Sequence, residues 1–213
     1  MYNKVLKMNS ISNLAAKYNS DKQFKNHNYV GMYEQWIGNL HVNKILEIGL
    51  GGGASVRMWA DYFPDAEVYT MELGQEEFQK NWANSTMDVS DIKIIVGNST
   101  EPKSWGNVPD NLSVIIDDGD HTPDSQIATF KLGFPKLRSR GLYFIEDTHC
   151  GFEESYGTSF ALYEYFFNLV SNQQLPGAGT EGDFYKFNQF MPDYVRDIFA
   201  YHFYKSVILL EKA

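Results

Sequence analysis

Two short acidic runs hold the residue types best able to do chemistry: Asp117-Asp118-Gly119-Asp120-His121 and Glu146-Asp147-Thr148-His149. Each closes an apolar run, NLSVIIDDGD at 111–120 and GLYFIEDTH at 141–149, and such runs read as buried strands. Neighbouring parallel strands lie about 4.8 Å apart, so acids at their carboxyl ends can share one cation. That edge of an open α/β sheet is also where ligands collect. Asp118, Glu146 and Asp147 offer hard oxygens, which suit Mg²⁺ or Ca²⁺ better than zinc. A single acidic strand end is an ordinary solvated cap. Two such ends, each with a histidine two or three residues on, repel one another unless a cation lies between them. His121 is the candidate general base, because an imidazole titrates near pH 6.5, about where a proton must be taken up. His149 lies further past its strand and reads as a lining residue beside the acceptor. Cys150 has no activating arrangement and reads as structural.

A second constellation is the glycine turn in ILEIGLGGGAS, residues 45–55. Glycines after a strand let the backbone approach a ligand and aim the amides of the next helix at it. The spacing serves two cofactors. Gly49-x-Gly51-x-x-Ala54 fits a dinucleotide turn, and Glu72 stands about 20 residues on from the turn, where a ribose-binding acid belongs. Glu47-x-Gly49-x-Gly51 fits the turn that binds S-adenosylmethionine (SAM) equally well. A tight corner without a ligand is the plainer alternative, but four glycines in five residues are costly without a reason. Asn98 and Ser99 end a further strand where an adenine edge would lie. A nicotinamide dehydrogenase has no need of the acidic cluster, which tips the balance toward SAM.

These groups must be positioned by strands and helices in alternation. KILEIGL (44–50), EVYTMEL (67–73), DIKIIVG (91–97), 111–120 and 141–149 read as strands. Residues 54–63, 75–85 and 123–137 read as the helices between them. The economical fold is an open α/β sheet with helices on both faces. The first 40 residues read as short helices flanking a loop at 20–28. Phe160, Tyr163, Phe167 and Val170 mark a helix whose aromatic stripe is assigned to the core. A breaker loop at 175–182 and two closing strands, 183–190 and 202–212, complete the chain.

The chain has 213 residues, which suits one large domain. Its net charge of −9 argues against a nucleic-acid or anionic-membrane partner. One cysteine excludes an internal disulfide and a multi-cysteine zinc site. No apolar run has signal-peptide form or approaches the ~20 residues of a membrane span, so a soluble cytoplasmic protein is expected.

The runs LAAKYNSDKQFKNHNYVGMYEQW, ILEIGLGGGASVRMW, VIIDDGDH, GLYFIEDTH and HFYKSVILLEK together resemble the metal-dependent sugar O-methyltransferases of macrolide biosynthesis, the mycinamicin and macrocin O-methyltransferases, and related cephalosporin-hydroxylase-type proteins. The resemblance spans residues 13 to 212. It implies a class I methyltransferase (Rossmann-like) fold, an α/β, mostly parallel sheet of seven strands with the last antiparallel, in a single domain over 1–213. By the same resemblance Asp118, Glu146 and Asp147 match the Mg²⁺ ligands and His121 the base. Glu47, Gly49, Gly51 and Ser55 match the SAM turn, and Glu72 the ribose acid, where Asp is usual. Asn98-Ser99 stands where Asp-Gln is common, and Asp120 where Ser is common. Asp117 joins the cofactor set. Tyr18, Asp21 and Lys22 match a loop within 1–40 that covers the cofactor. The extra N-terminal domain of the mycinamicin enzyme has no counterpart, so its macrolide substrate is not carried over. The implied activity is SAM- and Mg²⁺-dependent methylation of a hydroxyl on a sugar-containing small molecule or glycan, with homo-oligomerisation left open. A SAM- or nucleotide-binding module without turnover, and a nicotinamide-dependent oxidoreductase, are the alternatives.

Overall fold

The computed structural model describes residues 10–74, 88, 90–173 and 193–213. Five apolar runs form parallel strands: β1 (Lys44–Ile48), β2 (Glu67–Glu72), β3 (Lys93–Val96), β4 (Leu112–Asp117) and β5 (Leu137–Ile145). β6 (Ile198–Phe203) and β7 (Ile208–Lys212) close the sheet, β7 running antiparallel to both neighbours. The order is β3-β2-β1-β4-β5-β7-β6, so seven strands with an antiparallel last one are as the family resemblance implies. Strand order reverses between β1 and β4, and the carboxyl ends of these strands open the crevice in which such sheets bind ligands.

The helices are α1 (Ile11–Tyr18), α2 (Val30–Ile37), α3 (Ala54–Tyr62), α4 (Pro123–Gly133), α5 (Ala161–Gln173) and α6 (Asp193–Arg196). Ser10 caps α1 by accepting the Asn13 N–H at 3.1 Å. Thr122 caps α4, with Pro123 in its first turn. Side-chain alternation along each strand divides the core into two layers. Ile45, Val114, Ile116 and Phe144 face α1, α2 and α3, where Tyr33 and Trp59 fill the space. Leu46, Ile48, Ile115, Tyr143 and Ile145 face α4 and α5, where Phe130 and Phe166 do so.

Three expectations need correction. The run 202–212 is not one strand. Tyr204 N–H donates to the Val207 carbonyl at 2.8 Å, so the chain reverses around Lys205-Ser206 and β6–β7 is a hairpin. The aromatic stripe of α5 meets the core only through half-buried Tyr163. Leu162, Phe166 and Leu169 are buried instead, while Phe160 and Phe167 are 61% and 54% exposed. Two stripes at helical spacing lie side by side on α5, and the one that packs is the one that places Phe166 5.1 Å from Phe130 on α4. The two acidic strands also end early, β4 at Asp117 and β5 at Ile145, so Asp118, Glu146 and Asp147 project from turns just past the last register pair, Asp117↔Ile145. The predicted helix 75–85, loop 175–182 and strand 183–190 lie outside the described residues. Among the described residues no helix is long and apolar enough to cross a membrane.

Candidate active site

The turn after β1 needs its glycines. Gly49, Gly51 and Gly53 have φ of 91°, 50° and 82°. A Cβ on Gly49 would lie 2.3 Å from the Asp118 carbonyl oxygen, so β1 and the turn after β4 approach as closely as they do only without a side chain there. Beyond the turn α3 begins, with Ala54 and Ser55 at the wall of a cavity of about 610 Å³. Glu72 closes the other side of the turn. Its carboxylate accepts the Leu50 N–H at 3.0 Å and the Leu73 N–H at 2.8 Å, and it lines the cavity as the ribose acid should.

Gly49, Gly51, Ser55, Glu72, Asn98, Ser99, Asp21, Asp118, His121 and Asp147 all line this one cavity. Asn98 is held in an Asx turn by the Thr100 N–H, at 2.9 Å, and Ser99 Oγ lies 2.9 Å from Thr129 Oγ1. Five sequence-predicted residues do not line it. Tyr18 hydrogen-bonds Asp61 of α3 instead. Asp117 falls to the α4 side of the sheet, because alternation along β4 sends it opposite to Asp118. There its Oδ2 is buried without a hydrogen-bond partner. Burial, then the charges of Asp118 and Asp120, push the Asp117 carboxyl well above its ordinary range. Glu47, Lys22 and Glu146 lie behind the cavity wall, on the α1–α3 side.

Those three, with Asp118, form one ionic cluster. Lys22 Nζ lies 2.7 Å from Asp118 Oδ2, 2.8 Å from Glu146 Oε2 and 3.2 Å from Glu47 Oε1. Glu47 Oε2 also accepts the Trp59 indole N–H at 3.0 Å. Tyr33 donates its hydroxyl to Glu146 Oε1. Burial opposes the Lys22 charge, but the carboxylates of Asp118, Glu146 and Glu47 outweigh it and hold the ammonium protonated. Burial raises Glu47 to about 7 against the pull of Lys22. It raises Glu146 well above the carboxylate range too, with the charges of Asp118 and Glu47 adding to it.

Asp147 is built differently. It sits in the left-handed region at φ 52°, and one oxygen, Oδ1, accepts from Tyr29 at 2.5 Å and faces His27 Nδ1 at 2.8 Å. Burial works against its charge, yet the Tyr29 hydrogen bond and the His27 and His121 charges prevail and lower it. His121 Nε2 lies 3.9 Å from Asp147 Oδ2, and His121 Nδ1 is buried without a hydrogen-bond partner. One donor atom each from Asp118, His121 and Asp147 lies within 4.8 Å of the other two. The two carboxylate oxygens at that spacing fit a hard divalent cation, with the imidazole beside it. Glu146 stands beside this three-donor group, with both oxygens already engaged. His149 Nδ1 is also 3.9 Å from Asp147, on the Oδ1 side, but its side chain is 43% exposed and outside the cavity. Cys150 is buried, and burial together with Asp147 and Glu153 raises its thiol, as befits a structural residue.

His27, Tyr29 and Tyr33 are the site residues that motif spacing did not mark. Tyr29 and Tyr33 stand four apart where the chain enters α2, the spacing that sends two side chains the same way, and both hydroxyls end on the acids after β5.

Residues 46–148 match the family model described as a methyltransferase domain. The L-olivosyl-oleandolide 3-O-methyltransferase of Streptomyces antibioticus is 31% identical over 159 residues, 69% of this chain and 39% of that protein. The mycinamicin VI 2''-O-methyltransferase of Micromonospora griseorubida is 26% identical over 95% of this chain and 52% of its own length. The chain thus spans about half the length, or less, of these curated relatives. Among solved structures, the MycE methyltransferase from the mycinamycin biosynthetic pathway, in complex with Mg and SAH, superposes with a TM-score of 0.74 at 24% identity, over 96% of this chain and 55% of that one. The fold is the class I methyltransferase fold.

Proposed function

We propose that this chain is a SAM- and Mg²⁺-dependent O-methyltransferase acting on a hydroxyl of a sugar or sugar-containing small molecule or glycan. The observation that carries the reading is one cavity lined both by a glycine turn with Glu72 and by Asp118, His121 and Asp147. A cofactor and an activated hydroxyl would meet there. The names of the relatives, an L-olivosyl-oleandolide 3-O-methyltransferase and a mycinamicin VI 2''-O-methyltransferase, support the acceptor class. The net charge of −9 favours a small acceptor over nucleic acid.

When bound, SAM supplies an electrophilic methyl group and the divalent cation supplies Lewis acidity that lowers the pKa of an acceptor hydroxyl. The chain's residues do the rest. Glu72 and the glycine turn would bind and orient the nucleoside part of the cofactor. Asp118 and Asp147 would hold the cation, with Glu146 behind them. His121 takes the hydroxyl proton on Nε2, the ring nitrogen that faces Asp147. The loop between α1 and α2 contributes Asn19 and Asp21 to the cavity wall, so the N-terminal segment and the sheet form one working unit. A SAM-binding module without turnover would need no base beside the acids, and a nicotinamide-dependent oxidoreductase would need no cation site.

The test is transfer of labelled methyl from SAM to a panel of 6-deoxyhexose glycosides, with and without chelator. The expected result is transfer that stops in excess chelator and returns with Mg²⁺. Full transfer in chelator would remove the cation from the mechanism.

A further inference from the structure

A lysine with none of its side chain exposed is costly to bury unless its charge is matched, and Lys22 is matched three times. An ammonium has three N–H donors, and the three carboxylates around it come from three neighbouring strand ends: Glu47 on β1, Asp118 after β4 and Glu146 after β5. Strand alternation explains the meeting. All three side chains point to the face that carries α1 and α2, and Lys22 comes down from the loop between those helices. Lys22 does not line the cavity, so its place is behind the site, not in the path of substrate.

We propose that Lys22 is a resident counter-cation and positioning residue, which gathers the Glu47, Asp118 and Glu146 side chains around one ammonium so that the cation site stands ready before a metal arrives. This role rests on the metal-dependent activity proposed above. It has a consequence that packing alone would not have. Lys22 and a divalent cation neutralise the same carboxylates, Asp118 above all, so they repel one another across it. Without the ammonium, the acids depend on the metal, and the metal meets less positive charge.

The test is Lys22→Met, which keeps the stem and removes the charge, read by thermal unfolding and by Mg²⁺ titration calorimetry. In chelator the unfolding midpoint should fall by about 10 °C or more, the scale on which a buried charge cluster loses its partner in a chain of this size. Saturating Mg²⁺ should return most of that loss, and the Mg²⁺ dissociation constant should tighten by about tenfold or more. A midpoint lowered equally with and without Mg²⁺, or an unchanged or weaker Mg²⁺ affinity, would overturn the role. Should Lys22→Met not fold, Lys22→Met/Glu146→Gln removes one anion along with the cation. That double variant should fold and regain much of the midpoint in chelator, and a double variant that does neither overturns the role. Wild-type protein that binds no Mg²⁺ would instead refute the metal-dependent reading, while the double-variant comparison in chelator still decides Lys22.

Discussion

His121 and His149 stand at the same 3.9 Å from opposite oxygens of Asp147, so distance alone does not choose the base. Access does: His121 lines the cavity beside Asp118 and Asp147, whereas the His149 side chain is 43% exposed and lies outside the cavity. His121→Ala should lose at least ~10²-fold in turnover, the lower end for a missing general base, while SAM affinity is kept. His149→Ala should act mainly on acceptor KM; the reverse pattern would exchange the two roles. Asp117 makes a second prediction. Its folded-state pKa is raised, so the folded chain keeps this proton to higher pH than the unfolded chain does. Stability is therefore lost as pH rises above the unfolded carboxylate value of about 3.9. Asp117→Asn should raise the thermal midpoint at pH 8 and change it little at pH 4. An unchanged or lower midpoint at pH 8 would contradict the unpartnered burial of Oδ2. The resemblance puts Asp117 in the cofactor set, and strand parity separates it from Asp118.

The β1–α3 turn shows how an element carries the site. Gly49 combines a φ of 91° with a carbonyl oxygen 2.3 Å from where a Cβ would sit, while Gly52 has open space within 4 Å. Gly49→Ala should therefore cost more than about 2 kcal/mol, and Gly52→Ala less than about 1 kcal/mol, by urea unfolding. Equal costs would mean that the turn does not depend on the approach of Asp118. This element was legible because strand, glycines and helix follow one another in a single run of sequence. The β6–β7 hairpin was not, because Tyr204 and Val207 interrupt 202–212 with apolar residues and no glycine marks the reversal. The face of α5 was not legible either. Phe160, Tyr163 and Phe167 are as periodic as Leu162, Phe166 and Leu169, and only the position of Phe130 on α4 decides which stripe is covered.

In the whole molecule, the sheet supplies the acids and the N-terminal helices supply what holds them. Lys22 reaches Asp118 and Glu146, Tyr33 reaches Glu146, and Tyr29 and His27 reach Asp147, across sequence separations of 96 to 124 residues. The acids themselves could be read from the ends of two apolar runs. Their partners could not, since a buried lysine and two tyrosine hydroxyls acquire meaning only when the layers are assembled. The mostly parallel order of the sheet, by contrast, followed from the strand–helix alternation alone. Everything proposed for this chain turns on which cofactor its cavity takes, and titration calorimetry of the Mg²⁺-loaded protein reads that without knowledge of the acceptor. SAM should saturate a single site, NAD should give no binding heat, and Glu72→Ala should weaken SAM by about 1–3 kcal/mol, or roughly 5- to 150-fold. Saturable NAD binding with no heat from SAM would contradict the methyltransferase reading outright.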